Sequence, residues 1–348
     1  MAEASPAGNR SGARKNATIY DIAHAADVSH QSVSRYMRGL DMRATTKVKI
    51  EKALELLDYK PNLTARALIT GRSLRIGALT HETHQVGPNM VIQGATAAAR
   101  EAGYLLDVVT LDMGDAAEIG QALASLMQYD LAGILAFAST DGTRDVFERT
   151  RFDVPVVIAS ETDEPDSVDA SRTATHGIDD LVSHLADLGH RTFLHIAGPE
   201  DWAAARNRRH AFESAMSSRG FTAAGIVHGD WSAKSGYDAI SAMPAADVPT
   251  AIVAANDQMA LGAMHALHEH GLAVPRDVSV TGLDDTPEAA YFTPSLTTIR
   301  LDFRAQGREA LAELLRQVDP ARPESESEIP RIDSALLIRE STGPAARQ

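Results

Sequence analysis

Four side chains near the start of the chain read as one chemical unit. His30, Gln31, Ser34 and Arg35 lie at positions i, i+1, i+4 and i+5 of SHQSVSRYM, a spacing that lines them along one side of a helix. Each can bond a base edge or a phosphate; Gln can pair bidentately with adenine and Arg with guanine. A second candidate pair is Asp284 and Asp285 at the end of VSVTGLDD. Glycosidases work with two carboxyl groups about 5–10 Å apart, but successive side chains leaving a strand point to opposite faces, so both meeting one sugar is not expected. The His-rich runs HETH (81–84) and HALHEH (265–270) lack the H-E-x-x-H spacing and read as solvated faces, so no metal is expected. The chain has no Cys, which excludes disulfides, Cys-ligated metals and a thiol nucleophile. No G-x-G-x-x-G follows a strand-like run and no P-loop occurs, so no cofactor is expected.

The elements that must position these residues differ between the two parts of the chain. Before the first group, Ile19, Ile22, Ala23 and Ala26 recur at helical spacing. Asp27 fills a turn that needs a left-handed residue, Ser29 stands at an N-cap, and Val33 supplies the buried side of the next helix. A third helix opens at Thr45 or Thr46 with Ile50, Ala53, Leu54 and Leu57 as its stripe. This is a helix-turn-helix or, more blandly, a helical hairpin with a polar face. From Leu74 onward, β-rich runs (75–80, 104–111, 132–138, 154–160, 192–198, 250–256 and 278–284) alternate with helix-like segments. That alternation predicts an α/β body of two doubly wound parallel-sheet subdomains with a cleft between them, where ligands bind at the carboxyl ends of strands.

Charge divides the chain at the same place. Residues 1–75 hold 13 Lys and Arg against 7 Asp and Glu, whereas residues 76–348 hold 20 against 40, for a net charge of −14 over 348 residues. A basic head on an acidic body suits a polyanionic partner for the head, because clustered cations displace condensed counterions. No apolar run approaches the ~18–20 residues that span a bilayer, and the leader lacks an apolar h-region. A soluble, cytoplasmic protein with no membrane partner is expected.

The run TIYDIAHAADVSHQSVSR, followed by YKPNLTARAL (59–68), resembles the DNA-binding head and hinge of the LacI/GalR family of bacterial transcription repressors. LGHRTFLHIAGP (188–199), GDWSAKSGY (229–237), PTAIVAANDQMALGAM (249–264) and VSVTGLDDTPEAAYFTPSLTTIRLDF (278–303) extend the resemblance over nearly the full chain, nearest to lactose-repressor-like, β-glycoside-responsive members. The resemblance implies an all-α head before a body like type I periplasmic binding proteins. It implies that double-stranded operator DNA is contacted by Tyr20, Ser29, His30, Gln31, Ser34, Arg35, Asn62 and Leu68, with Leu68 wedging into the minor groove from a hinge helix. It implies sugar ligation by Arg208, Asn256 and Asp284 between the apolar walls Trp231 and Phe303. Departures from the family pattern are Asp27 where Gly is usual, His30 at the first base-reading position, and an altered wall of His81, Phe137, Ser160 and Leu301.

The expected organisation is a leader (1–16), head (17–60), hinge (61–73), body (74–341) and tail (342–348). Within the body, one subdomain takes 74–160 and 292–320 and the other 161–291 and 321–341. The implied function is a nucleoid-associated repressor whose dimer binds a pseudo-palindromic operator and is released by a β-galactoside or other β-glycoside. A dimer is expected because no heptad helix follows Leu336 and Leu337. The alternative from another class is a sugar-binding protein with glycosidase activity.

Overall fold

The computed structural model describes residues 17–37, 40–59, 73–81, 85–111, 116–159, 170–321 and 334–345. The chain divides into two compact units, Met1–Ser73 and Leu74–Gln348.

Among the described residues the first unit holds three helices. Helix α1 (Ile19–Ala26) opens on a capping box in which Thr18 and Asp21 bond each other's backbone N–H, and Asp27 ends it in the left-handed conformation at φ 51°, ψ 54°. Helix α2 (His30–Met37) is capped by Ser29, whose Oγ accepts from Ser32 N at 3.2 Å. Helix α3 (Ala44–Leu56) starts slightly earlier than the threonines predict, at Ala44, because Arg43 fills the N-cap position without a side-chain bond. Ile22, Val33 and Ile50, one from each helix, are fully buried, with Ala23, Ala26 and Ala53 around them.

Among the described residues the second unit contains two sheets. Strands β1 (Arg75–His81), β2 (Leu105–Leu111), β3 (Gly133–Phe137) and β4 (Val156–Ala159) form an all-parallel sheet in the order β2-β1-β3-β4. Helices α4 (Val86–Glu101), α5 (Ala116–Leu126) and α6 (Asp141–Arg149) belong to this half. Alternate strand residues feed opposite faces: Leu135 joins Ile76 and Leu311 in one core, and Ile134 joins Leu79, Leu123 and Phe147 in the other.

The second sheet is built the same way from β5 (Thr192–Ala197), β6 (Thr222–His228), β7 (Ala251–Ala254), β8 (Ser279–Asp284), β9 (Thr297–Leu301) and β10 (Ser334–Leu337). Its order is β10-β9-β8-β7-β5-β6, and only β10 runs antiparallel to its neighbour. Helices α7 (Ala170–Asp187) and α8 (Ala203–Ser218) contribute Leu181 and Phe212 to one core. Helices α9 (Ala233–Ser241) and α10 (Asp257–Glu269) contribute Ile240 and Leu267 to the other.

Helix α11 (Phe303–Val318) returns to the first half and packs Leu311 and Leu314 there. Two glycines allow it to cross α4 closely: a Cβ on Gly94 would lie 2.1 Å from Arg304 O, and one on Gly307 1.9 Å from Val91 O.

Two expected boundaries change. Residues 292–301 stay with the second sheet, because β9 pairs with β8 from Thr281↔Thr297 to Asp284↔Arg300, so the crossover falls at Asp302, which caps α11 by accepting from Ala305 N. The segment expected as a tail from 342 is anchored: Thr342 Oγ1 bonds His184, Gly343 O bonds His190, and Ala345 N donates to Leu188 O.

Candidate functional site

In the first unit the residues expected to read DNA stand out on the surface. Along α2, His30, Gln31 and Arg35 are exposed and Ser34 is half-buried. The phenol of Tyr20 on α1, 66% exposed, lies beside the His30 ring at a centroid separation of 5.6 Å. Ser29 is committed to capping, and Arg35 donates to Asp41 O at 2.9 Å. Asn62 and Leu68 lie outside the described residues.

The second unit encloses a cavity of about 400 Å³, within the usual size range of small-molecule sites. Strand ends supply its walls. Phe137 ends β3, Ala159 ends β4, Trp202 follows β5, Trp231 follows β6, Asn256 follows β7, Asp284 ends β8 and Phe303 follows β9. This is where doubly wound sheets place ligands, because the connections there diverge to opposite faces. Of the altered wall, Phe137 lines the cavity, but Leu301 packs into the core of the second sheet. Ser160 and the side chain of His81 lie outside the described residues.

At the polar end, Arg208 and Asp284 are 5% and 7% exposed. Arg208 Nη1 donates to Ala255 O at 2.6 Å, Nη2 stands 3.8 Å from Asp284 Oδ1, and the guanidinium lies 5.2 Å from the Trp231 ring centre. Two opposite charges buried this close hold each other in place, and removing either takes a compensating charge from the other. Arg208 Nε, Trp231 Nε1 and Gln85 Oε1 have no hydrogen-bond partner among the described residues. All three residues line the cavity, so a ligand's hydroxyls can satisfy them.

Asn256 plays a more structural part than ligand chemistry alone requires. Its Oδ1 accepts from Met259 N at 2.8 Å as the N-cap of α10, and its Nδ2 donates to Trp231 O at 2.9 Å and Gln258 Oε1 at 3.0 Å. Trp231 and Asp284 hold φ angles of 71° and 123°, conformations that L-residues seldom adopt and that recur at binding sites. The ring of Trp231 lies on Gly198, where a Cβ would come within 2.4 Å of it.

The neighbouring carboxylates separate as the strand geometry requires. Asp285 accepts from Arg300 Nε at 2.8 Å and Arg339 Nη2 at 2.6 Å and takes no part in lining the cavity.

Sequence reasoning missed two residues here. Asp257, fully buried, accepts from Thr298 Oγ1 at 2.6 Å and Thr286 N at 2.7 Å, fixing the turn just after Asp284; burial pushes its carboxyl up to about 7. Trp202 lines the cavity, with its ring 5.7 Å from that of Trp231 at 68°. A signal existed for Trp202: it is one of only two Trp in the chain, a few residues after a strand.

A clasp joins the two halves beside Trp202. Thr140 and Trp202 form an isolated antiparallel bridge, Asp141 N donates to Asp201 O at 3.1 Å, and Arg206 meets both Asp141 carboxylate oxygens at 2.9 Å.

Comparison with known proteins gives consistent results. Residues 18–62 match the family model for bacterial regulatory proteins of the lacI family, and residues 182–342 match the periplasmic binding protein-like domain. The lactose operon repressor of Escherichia coli (strain K12) is 32% identical over 305 residues, covering 87% of this chain and 85% of the relative. The HTH-type transcriptional repressor PurR of Vibrio campbellii (strain ATCC BAA-1116) is 29% identical over 334 residues, covering 93% and 98%. The crystal structure of the Lac repressor dimer bound to operator and the anti-inducer ONPF aligns with a TM-score of 0.77 at 29% identity, over 94% of this chain and 100% of that one. With its capped second helix, its two-sheet body and this match along most of its length, the chain belongs to the lacI family of bacterial regulatory proteins, DNA-binding repressors of transcription.

Proposed function

We propose that this repressor binds a pseudo-palindromic operator as a dimer and releases it when a β-galactoside or other β-glycoside enters the body's cavity. The observation that carries the reading is the buried Arg208–Asp284 pair beside Trp231, because a carboxylate, a forked donor and an aromatic face are the groups that hold a pyranose. The similarity to the lactose operon repressor and to the operator-bound Lac repressor dimer supports both the operator and the dimer. His30, Gln31, Ser34 and Arg35 are the base-reading candidates, with Tyr20 and Ser29 beside them; Asn62 and Leu68 are expected to add hinge contacts. A sugar releases DNA only through its preference for the low-affinity conformation, so coupling requires that it bind better there. The clasp of Asp141 and Arg206 spans the two halves that such a change would move.

The glycosidase reading finds no support, since Asp285 is held by two arginines away from the cavity that Asp284 lines. The test is calorimetric titration of the full chain with methyl β-galactoside and methyl β-glucoside. Saturable binding of either, lost in Asp284→Asn, is expected; binding only of a purine, an amino acid or a phosphorylated sugar overturns the reading.

A further inference from the structure

The cavity has two chemically unlike ends. At one, Arg208 Nε and Trp231 Nε1 have no hydrogen-bond partner among the described residues, and the Asp284 carboxylate lies 3.8 Å from Arg208 Nη2; Gln85 Oε1 is a further such group in the lining. Asn256 adds little, because both halves of its amide are occupied by protein groups. This set matches the hydroxyls of one pyranose. The rest of the lining is mostly apolar, with Val91, Phe137, Val157, Ile158 and Trp202; Ser139, Gln306 and Glu313 are its half-buried polar members, and Glu309 and Arg316 are exposed to water. A second sugar ring against those five apolar side chains would strand the hydroxyls facing them without partners, each losing its hydration with no return.

The aromatic corner supplies what an aromatic ring needs. Trp202 and Trp231 pack edge to face, 5.7 Å apart at 68°, so an aromatic ring set into the corner beside them can meet both indoles at once. Trp202 cannot swing aside easily. Its backbone is bridged to Thr140, it stands at the N-cap of α8, and the residue is only 8% exposed. A rigid aromatic residue loses little conformational freedom on binding, which turns buried area into selectivity.

We propose that Trp202 is a specificity-determining residue that selects β-glycosides carrying an aromatic aglycone over β-linked disaccharides. The proposal rests on the glycoside reading of the same cavity.

The experiment is calorimetry of the full chain with methyl β-glycosides, phenyl β-glycosides and β-linked disaccharides of galactose and glucose. The phenyl glycoside of the accepted sugar should bind about tenfold or more tighter than its methyl counterpart, and tighter than the disaccharide. Trp202→Ala should collapse the phenyl-to-methyl affinity ratio toward one, and Trp202→Phe should retain most of it. A disaccharide binding as tightly as the phenyl glycoside overturns the proposal, as does a Trp202→Ala variant that weakens both monosaccharide ligands equally. If the methyl glycoside binds and the phenyl one is no better, only this inference falls. If no glycoside binds, the glycoside reading falls first and this inference with it.

Discussion

The head and the body hold their functional side chains in opposite ways. On α2, His30, Gln31 and Arg35 project from a surface whose support comes from other residues, chiefly Ile22, Val33 and Ile50. In the body the residues proposed as sugar ligands support the structure as well. Arg208 ties down Ala255 O and faces Asp284, while Asn256 caps α10 and holds the Trp231 backbone. In the head, function and stability should therefore separate under mutation, whereas in the body they should fall together.

The strongest way to break this comparison is Arg208→Ala. It leaves Asp284 buried beside an empty space, and such losses cost about 3–5 kcal/mol; urea denaturation should show a stability drop in that range alongside lost ligand binding. A full-strength fold that merely fails to bind would refute the dual role. Gly198→Ala comes next, since the added methyl would meet the Trp231 ring at 2.4 Å. Overpacking of this kind typically costs about 1–3 kcal/mol, and near-ultraviolet circular dichroism should report a reoriented indole.

In the head, Gln31→Ala or Arg35→Ala should each weaken specific operator binding by about 1–3 kcal/mol, with unfolding stability kept within about 0.5 kcal/mol. Operator titrations at fixed salt, compared with random DNA, separate base reading from phosphate contact; equal losses on both would remove the residue from the reading set. Arg206→Gln should have a smaller effect, about 0.2–1 kcal/mol, because the clasp with Asp141 is partly exposed. Its effect on ligand affinity should shrink as salt rises.

The smallest net effect concerns pH. Burial lowers His195 to about 4, so between about 4 and its ordinary 6.5 the unfolded chain binds more protons and stability rises with pH. Burial raises Asp257 to about 7 from an ordinary 3.8, so over that range the folded chain binds more protons and stability falls with pH. The two slopes oppose each other between about pH 4 and 6.5. Asp257→Asn should make stability climb more steeply through that window than in the parent chain, measured by denaturation at stepped pH.

Legibility in the sequence follows the range of the interactions. Asp27, Ser29 and the Ile22/Val33 packing act within a few residues, so the helices and their turn could be read from spacing, while the choice of a helix-turn-helix over a plain hairpin came from the motif resemblance. Strands β3, β7 and β8, buried along their whole length, announced themselves as apolar runs. Strand β6 did not, because it lies at a sheet edge with Thr222, Ala223 and Ala224 exposed, and TTIRL of β9 mixes threonines with a solvent-facing Arg300. Asp284 and Arg208 came from motif resemblance. What remained hidden was long-range: Trp202 is placed by a bridge to Thr140 in the other half, and Asp257 by Thr286 and Thr298. Leu301 illustrates the limit from the other side, since strand alternation turns it into the core rather than toward the ligand.

The central claim is that the cavity governs the reading head, and one measurement addresses it directly. Operator binding is followed by fluorescence anisotropy at a single salt concentration, with and without saturating β-glycoside, for the parent chain and for Asp284→Asn. The account predicts a fall in operator affinity for the parent chain on adding glycoside, in the range of about 5- to 150-fold typical of allosteric coupling. It predicts the same affinity without glycoside for Asp284→Asn and no release on its addition. Unchanged operator affinity of the parent chain at saturating glycoside, or release of Asp284→Asn as readily as the parent, would contradict it.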